Sequence, residues 1–293
     1  MTSSTLTGAE NLVLAGKTYG LHRIVVAHDG SRAAKQALED SAALAARFSA
    51  EIVLVRVELP DQDLPGEELE KTFREDHADL KIVSDRLVNK GLKSRAVLRT
   101  GMAGDVLFGV VLEENADLLL LGAYGQGAQD RVTLGSTAEL LLRAIPCPVL
   151  TYGPNASSGL LERMKGQSGI LLPVNLPCEP SSLVQAIAIA QLFGKGLELI
   201  HVCSAPGISS EEIQAEGACE KLAACIRQSG VPASSMLLGT PETSICSCAA
   251  ARNSPIVLFP LKSRDRLSSI TSDNVAAKVI RRSLVPVMSY RLA

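Results

Sequence analysis

Polar and apolar positions along the chain switch repeatedly between two rhythms, short apolar runs of strand length and longer stretches with apolar residues at helical spacing. Arg23 to Ala27 reads as a strand, Arg32 to Ser49 as an Ala-rich helix, Glu51 to Glu58 as a strand and Glu67 to Asn89 as a long charged amphipathic helix. Ser94 to Arg99, Ala103 to Glu114, Asp117 to Leu121, a helix after Gly135 and Val149 to Tyr152 then complete a unit of five strands and four helices. The run from Leu118 to Leu121 is apolar throughout, as expected of a strand covered on both faces. Regular alternation of this kind predicts an α/β fold, a parallel sheet with helices on both faces, because each right-handed crossover must cover a face.

The same order then returns. Ile170 to Val174 echoes the first strand, Ser181 to Phe193 the first helix, Leu197 to Val202 the second strand and Glu211 to Ser229 the long helix. Ser235 to Leu238 with Gly239 matches Ala96 to Gly101, and Ile256 to Phe259 matches the fourth strand. Val285-Pro-Val-Met-Ser-Tyr290 repeats Cys147-Pro-Val-Leu-Thr-Tyr152, at an offset of 290 − 152 = 138 that also superposes Gly239 on Gly101. A tandem duplication follows, with domains over 21–153 and 168–291. Between them lies a Gly-, Ser- and Asn-rich linker, Gly153 to Ser168, with a short helix expected around Leu160 to Met164.

The first copy carries the chemistry. Gly122 and Gly125, then nine residues, then Gly135-Ser136 join the apolar fourth strand to a helix with Ser136 near its N-cap, stopped by Pro146. Glycines let the backbone turn sharply and approach a ligand, and a helix mouth offers unpaired N–H groups at the positive end of its dipole. The pattern is that of an anion site, suited to phosphate. Shifted by 138, the second copy places Pro260 at Gly122, Ser263 at Gly125, Asp273 at Gly135 and Asn274 at Ser136. Asn175-Leu-Pro177 likewise stands where the first copy has Asp29-Gly30-Ser31. Asp273 would cap its own helix and bring negative charge to the phosphate position, so the second copy needs no ligand.

Composition narrows the classes. A chain of 293 residues, 46% hydrophobic, can bury two ordinary cores, and with no Trp its packing must rest on small and branched aliphatics. A net charge of −2 supplies no field for nucleic acid, and no apolar run reaches membrane-spanning length. Neither a nucleic acid nor a membrane partner is expected. The first twenty residues lack a basic leader pattern, so a cytoplasmic protein is expected. Seven cysteines without a Cys-x-x-Cys spacing argue against a disulfide framework or zinc site, and Cys246 and Cys248 read as helix-packing residues.

Val25-Val-Ala-His-Asp-Gly-Ser31, the glycine spacing 122/125/135 with Ser136, and Pro146-Cys-Pro-Val149 together resemble the universal stress protein family. The likeness spans Leu21 to Tyr152 fully and Ser168 to Tyr290 in degenerate form. It implies two tandem five-stranded parallel sheets of order 3-2-1-4-5, adenine nucleotide alpha hydrolase-like, with the first and fourth strands meeting at a topological switch point. It further implies an ATP site in which Ala27, Asp29 and Val57 surround the adenosine, while Leu121, Gly122, Tyr124, Gly125, Gly135, Ser136 and Thr137 hold ribose and phosphates. Arg131 in the intervening loop is either a phosphate ligand or a solvated side chain. Mg²⁺ would ride on the nucleotide phosphates, with no dedicated carboxylate site. The resemblance also implies pairing of the two domains through their last strands within the chain, with further homo-oligomer formation left open.

Three functions compete at this level. The first is an ATP-binding regulatory protein of the stress response with one working and one silent domain. The second is an enzyme, hydrolysing ATP weakly or transferring adenylyl groups. Here His28, Asp29 and Ser31 form no triad, since strand neighbours point to opposite faces. The third is a nucleotide-independent scaffold, whose Lys262, Arg264 and Arg266 form either a contact for an acidic partner or a short solvated charge run, diluted by Asp265.

Overall fold

A computed structural model describes residues 20–59, 66–125, 134–202, 210–238, 241–261 and 275–291. Ten strands form a single sheet in the order β3-β2-β1-β4-β5-β10-β9-β6-β7-β8. The first half contributes β1 (Arg23–Ala27), β2 (Glu51–Glu58), β3 (Lys93–Thr100), β4 (Leu118–Gly122) and β5 (Val149–Tyr152), and the second β6 (Ile170–Pro173), β7 (Leu197–Val202), β8 (Ala233–Leu238), β9 (Val257–Leu261) and β10 (Val287–Arg291). Each half therefore has the order 3-2-1-4-5 and is parallel within itself.

The helices are α1 (Arg32–Phe48), α2 (Gly66–Asn89), α3 (Ala103–Glu113) and α4 (Ser136–Ala144), the linker helix α5 (Leu160–Lys165), then α6 (Val184–Phe193), α7 (Ser210–Gln228), α8 (Pro241–Ala251) and α9 (Val275–Arg282). Local chemistry sets their ends. Ser31 caps α1 by accepting the Ala34 amide at 3.2 Å, and Ser49 closes it in the left-handed region at φ 57. The helix expected from Ser181 begins as a 3₁₀ turn over Pro180–Leu183, with Pro180 in the first turn, where its missing N–H costs no hydrogen bond.

Period-two alternation splits the core into two layers. Ile24, Val26, Leu120 and Leu150 face one side, where α1, α2, α5, α6 and α7 pack, and Val25, Leu119, Leu121 and Val149 face the other, under α3, α4, α8 and α9.

The halves meet where β5 and β10 run antiparallel, with Met288 opposite Leu150. Since 288 − 138 = 150, equivalent residues face one another and a pseudo-twofold axis passes between them, as in an isologous dimer contact. The same axis brings Phe48 at the end of α1 against Phe193 at the end of α6, ring centroids 6.1 Å apart and edge to face. Arg291 donates to the Ala144 carbonyl at 3.0 Å, tying β10 to the end of α4.

Strand register measures the duplication directly. Val25 pairs with Leu119 and Leu171 with Val257, giving offsets of 171 − 25 = 146 for the first strand and 257 − 119 = 138 for the fourth. The intervening loss includes the long helix, which shrinks from 24 residues in α2 to 19 in α7.

Candidate functional site

Two loops converge where β1 and β4 end side by side. Beyond β1 the His28 amide still bonds the Val55 carbonyl at 2.8 Å, and the chain then turns away at Gly30, φ +82. Asp29 Oδ1 accepts the Ser31 amide at 2.9 Å, so the turn is held by the carboxylate itself. Beyond β4, Ala123 donates to the Tyr152 carbonyl at 2.8 Å and accepts from Gly135 at 3.0 Å. Those two bonds fix the approach to α4.

Side-chain alternation sorts the residues singled out from the sequence. Ala27, Val57 and Tyr124 are half-buried and pack on the edge of the core layer that also holds Leu121. Leu121 is 2% exposed, so toward the crevice it offers backbone. Gly135 is the N-cap of α4, with extended φ −60, ψ 142 and no side-chain cap; Ser136 and Thr137 are its first two helical residues, exposed and half-buried respectively. The amides of the first turn therefore lack a capping side chain from the N-cap position.

The three glycines have different physical causes. A Cβ on Gly122 would lie 2.9 Å from the Ala33 Cβ, and one on Gly135 would lie 3.0 Å from the Ala123 carbonyl oxygen, so both permit close packing of the chain on itself. Gly125 meets a side chain of the other loop: its Cβ would sit 3.3 Å from Asp29 Oδ2. That distance places the end of the glycine segment against the Asp29 carboxylate. Residues 126–133, with Arg131, lie outside the described residues.

In the second copy, Pro260 pairs with Tyr290 as Gly122 pairs with Tyr152. The Val174 amide bonds the Ile200 carbonyl at 2.8 Å, as His28 bonds Val55, so Asn175 occupies the place of Asp29. An amide side chain and a proline ring thus replace the carboxylate and the flexible glycine. Gly239, the charged stretch Lys262, Arg264, Asp265 and Arg266, and the counterparts Ser263, Asp273 and Asn274 lie outside the described residues.

Geometry bears on catalysis as well. Ser31 Oγ caps α1 and Asp29 Oδ1 accepts the Ser31 amide, while the buried His28 Nδ1 has no hydrogen-bond partner among the described residues. The three side chains form no relay. Burial pulls the His28 pKa below its ordinary value, against the pull of the neighbouring Asp29 carboxylate. The unfolded chain therefore binds a proton at His28 more readily than the folded one, so stability falls as pH drops below about 6.5. His28→Gln should flatten this part of a denaturation midpoint against pH profile; an unchanged slope would remove His28 as its source.

Among the described residues no group of three or more His, Cys, Asp or Glu is placed to hold a metal, and no helix is long and apolar enough to cross a membrane. Cys246 and Cys248 lie on α8; burial pushes the Cys246 thiol up to about 11 and raises that of Cys248. Neither is primed as a thiolate.

A doubly wound sheet of order 3-2-1-4-5, present twice and joined through its last strands, defines a tandem α/β protein. The chain belongs to the universal stress protein family. The family's sequence profile matches residues 20–152. A universal stress protein of Thermus aquaticus is 30% identical over 130 residues, 43% of this chain and 95% of that protein. One from Methanocaldococcus jannaschii is 30% identical over 135 residues, 44% of this chain and 79% of its own length. The whole two-domain architecture matches a universal stress protein structure from Archaeoglobus fulgidus at TM-score 0.73 and 17% identity, covering 94% of this chain and 98% of the other.

Proposed function

We propose that the first domain binds ATP, with Mg²⁺ carried on its phosphates, and that the second does not, making the chain a cytoplasmic regulatory protein of the stress response whose contacts follow nucleotide state. The supporting observation is the approach of Gly125 to Asp29, with a Cβ position 3.3 Å from Oδ2, beside a helix mouth capped only by glycine. Asp29 accepts ribose hydroxyls or an adenine amino group. Ala27, Val57 and Tyr124 supply the half-buried apolar wall that a base requires, and Gly135, Ser136 and Thr137 supply amides and hydroxyls for phosphate. Leu121 and Gly122 contribute backbone at the seam.

Binding at a hundredfold excess over Kd stabilises the native state by about 2.7 kcal/mol, which for a chain of this size raises Tm by about 5–10 °C. Thermal melts with millimolar ATP and magnesium should show that rise in the wild type and lose it in Gly125→Val, whose side chain would press on the Asp29 carboxylate. A flat wild-type response would end the proposal. Turnover of ATP by the wild type, abolished in Gly125→Val, would favour the enzyme reading instead.

A further inference from the structure

Asp40 lies in the middle of α1, 2% exposed, and its carboxylate is fully engaged. Oδ2 accepts the Tyr152 hydroxyl at 2.6 Å, and Oδ1 accepts the amides of Gly159 and Leu160 at 2.8 and 2.9 Å. Those amides open the linker helix α5, which buries Leu160 and Met164. Tyr152 in turn accepts the Ala123 amide on its carbonyl, and Ala123 accepts from Gly135 at the mouth of α4. Four hydrogen bonds in series therefore join the glycine-lined helix mouth to the interdomain linker.

We propose that this series is a latch by which the occupant of the first domain's crevice sets how firmly the linker is docked. The inference rests on the nucleotide reading of that crevice. A ligand that orders Ala123 and Gly135 holds the Tyr152 backbone, and with it the hydroxyl that orients Asp40 toward the linker. The linker has grips on the second domain that would register the change: Asn155 donates to the Arg281 carbonyl at 3.2 Å, Ser157 to that of Leu284 at 3.1 Å, and Arg163 to that of Pro255 at 3.5 Å. Leu284, 55% exposed, stands beside these contacts as the surface most directly altered.

The second copy is built differently at the equivalent positions. Tyr290, equivalent to Tyr152, donates to the Ser182 carbonyl at 3.4 Å, a contact within its own domain. Gln185 stands where Asp40 does, since 49 − 40 and 194 − 185 both place the residue nine before the left-handed cap that closes the helix. The carboxylate that seats the linker is thus confined to the copy that keeps the glycines.

Hydrogen exchange on the full chain, with and without ATP and magnesium, tests the latch. ATP should slow exchange in the segment 134–137 and, by about fivefold or more, at Gly159 and Leu160. Tyr152→Phe, which cuts the series while Asp40 still accepts the linker amides, should keep the first effect and lose the second. Slowing at 134–137 with none at 159–160 in the wild type overturns the latch and leaves nucleotide binding standing. No slowing at either place overturns both. Slowing at 159–160 that persists undiminished in Tyr152→Phe shows that the linker responds by another route, and the latch falls.

Discussion

Gly153→Ala should destabilise the chain by about 3 kcal/mol or more, a large effect for the addition of one methyl group. A Cβ at this position would sit 1.8 Å from the carbonyl oxygen of Ile280 in α9, far inside van der Waals contact. The obstacle is backbone in a helix that also contributes Val279 and Ile280 to the core, so relief requires α9 to move as a body. Gly153 directly follows β5, which pairs with β10, so the strain falls on the seam between the halves. Gly217→Ala provides the comparison. Gly217 lies within α7 with nothing near its would-be Cβ, and alanine there should stabilise by about 0.5–1 kcal/mol through helix propensity. Urea denaturation midpoints should therefore move in opposite directions for the same chemical change. Equal or like-signed shifts would show that the close approach at Gly153 is not a constraint.

Much of this architecture is legible in the sequence because it rests on periodicity. Strands β5 and β7 match the expected spans at both ends, since apolar runs bounded by Pro, Gly or charge leave little freedom of register. The linker helix, expected around Leu160 to Met164, ends one residue later at Lys165. What the sequence hides depends on long-range contact. Gly122 and Gly135 carry a packing constraint beside any ligand role, since a side chain there would meet Ala33 and Ala123, and no local sequence pattern reveals that second cause. Helix α9 is expected from the sequence only through Asp273 as its cap, although the strong two-sidedness of its eight residues, Val275–Arg282, also marks its span. The role of Asp40 is hidden at this level, because an acidic residue in an Ala-rich helix reads as solvated. One signal was available, because Ala37, Asp40, Ser41 and Leu44 share one helical face, and a carboxylate on an apolar stripe requires a partner.

Duplication makes the two copies internal controls. Register shows which positions correspond, and the copies differ at the ends of the first and fourth strands, at the middle of the first helix and in the length of the long helix. The sheet itself is conserved between halves in order and direction. The replacement of Asp29 and Gly122 by Asn175 and Pro260 therefore leaves the framework of the second copy intact. A fold whose core is separate from its loops allows one copy to change its strand-end residues and keep its place in the pseudo-dimer.

Asp40 and Gln185 turn that separation into a paired expectation. Asp40→Ala removes the acceptor for the Tyr152 hydroxyl and for two amides of the linker, leaving buried donors without partners at about 1–3 kcal/mol apiece. A total loss of about 3–5 kcal/mol is expected, since the three donors share one carboxylate and their costs do not simply add. Asp40→Asn keeps an acceptor oxygen for the linker amides and should lose far less. Gln185 differs: its buried Oε1 has no partner among the described residues. Gln185→Leu, close in volume and without the orphan oxygen, should be neutral or stabilising by up to about 1 kcal/mol. Denaturant midpoints for the three variants decide the matter. Were Gln185→Leu as damaging as Asp40→Ala, the two positions would be doing the same structural work, and the one-sided seat of the linker could not be what distinguishes the copies.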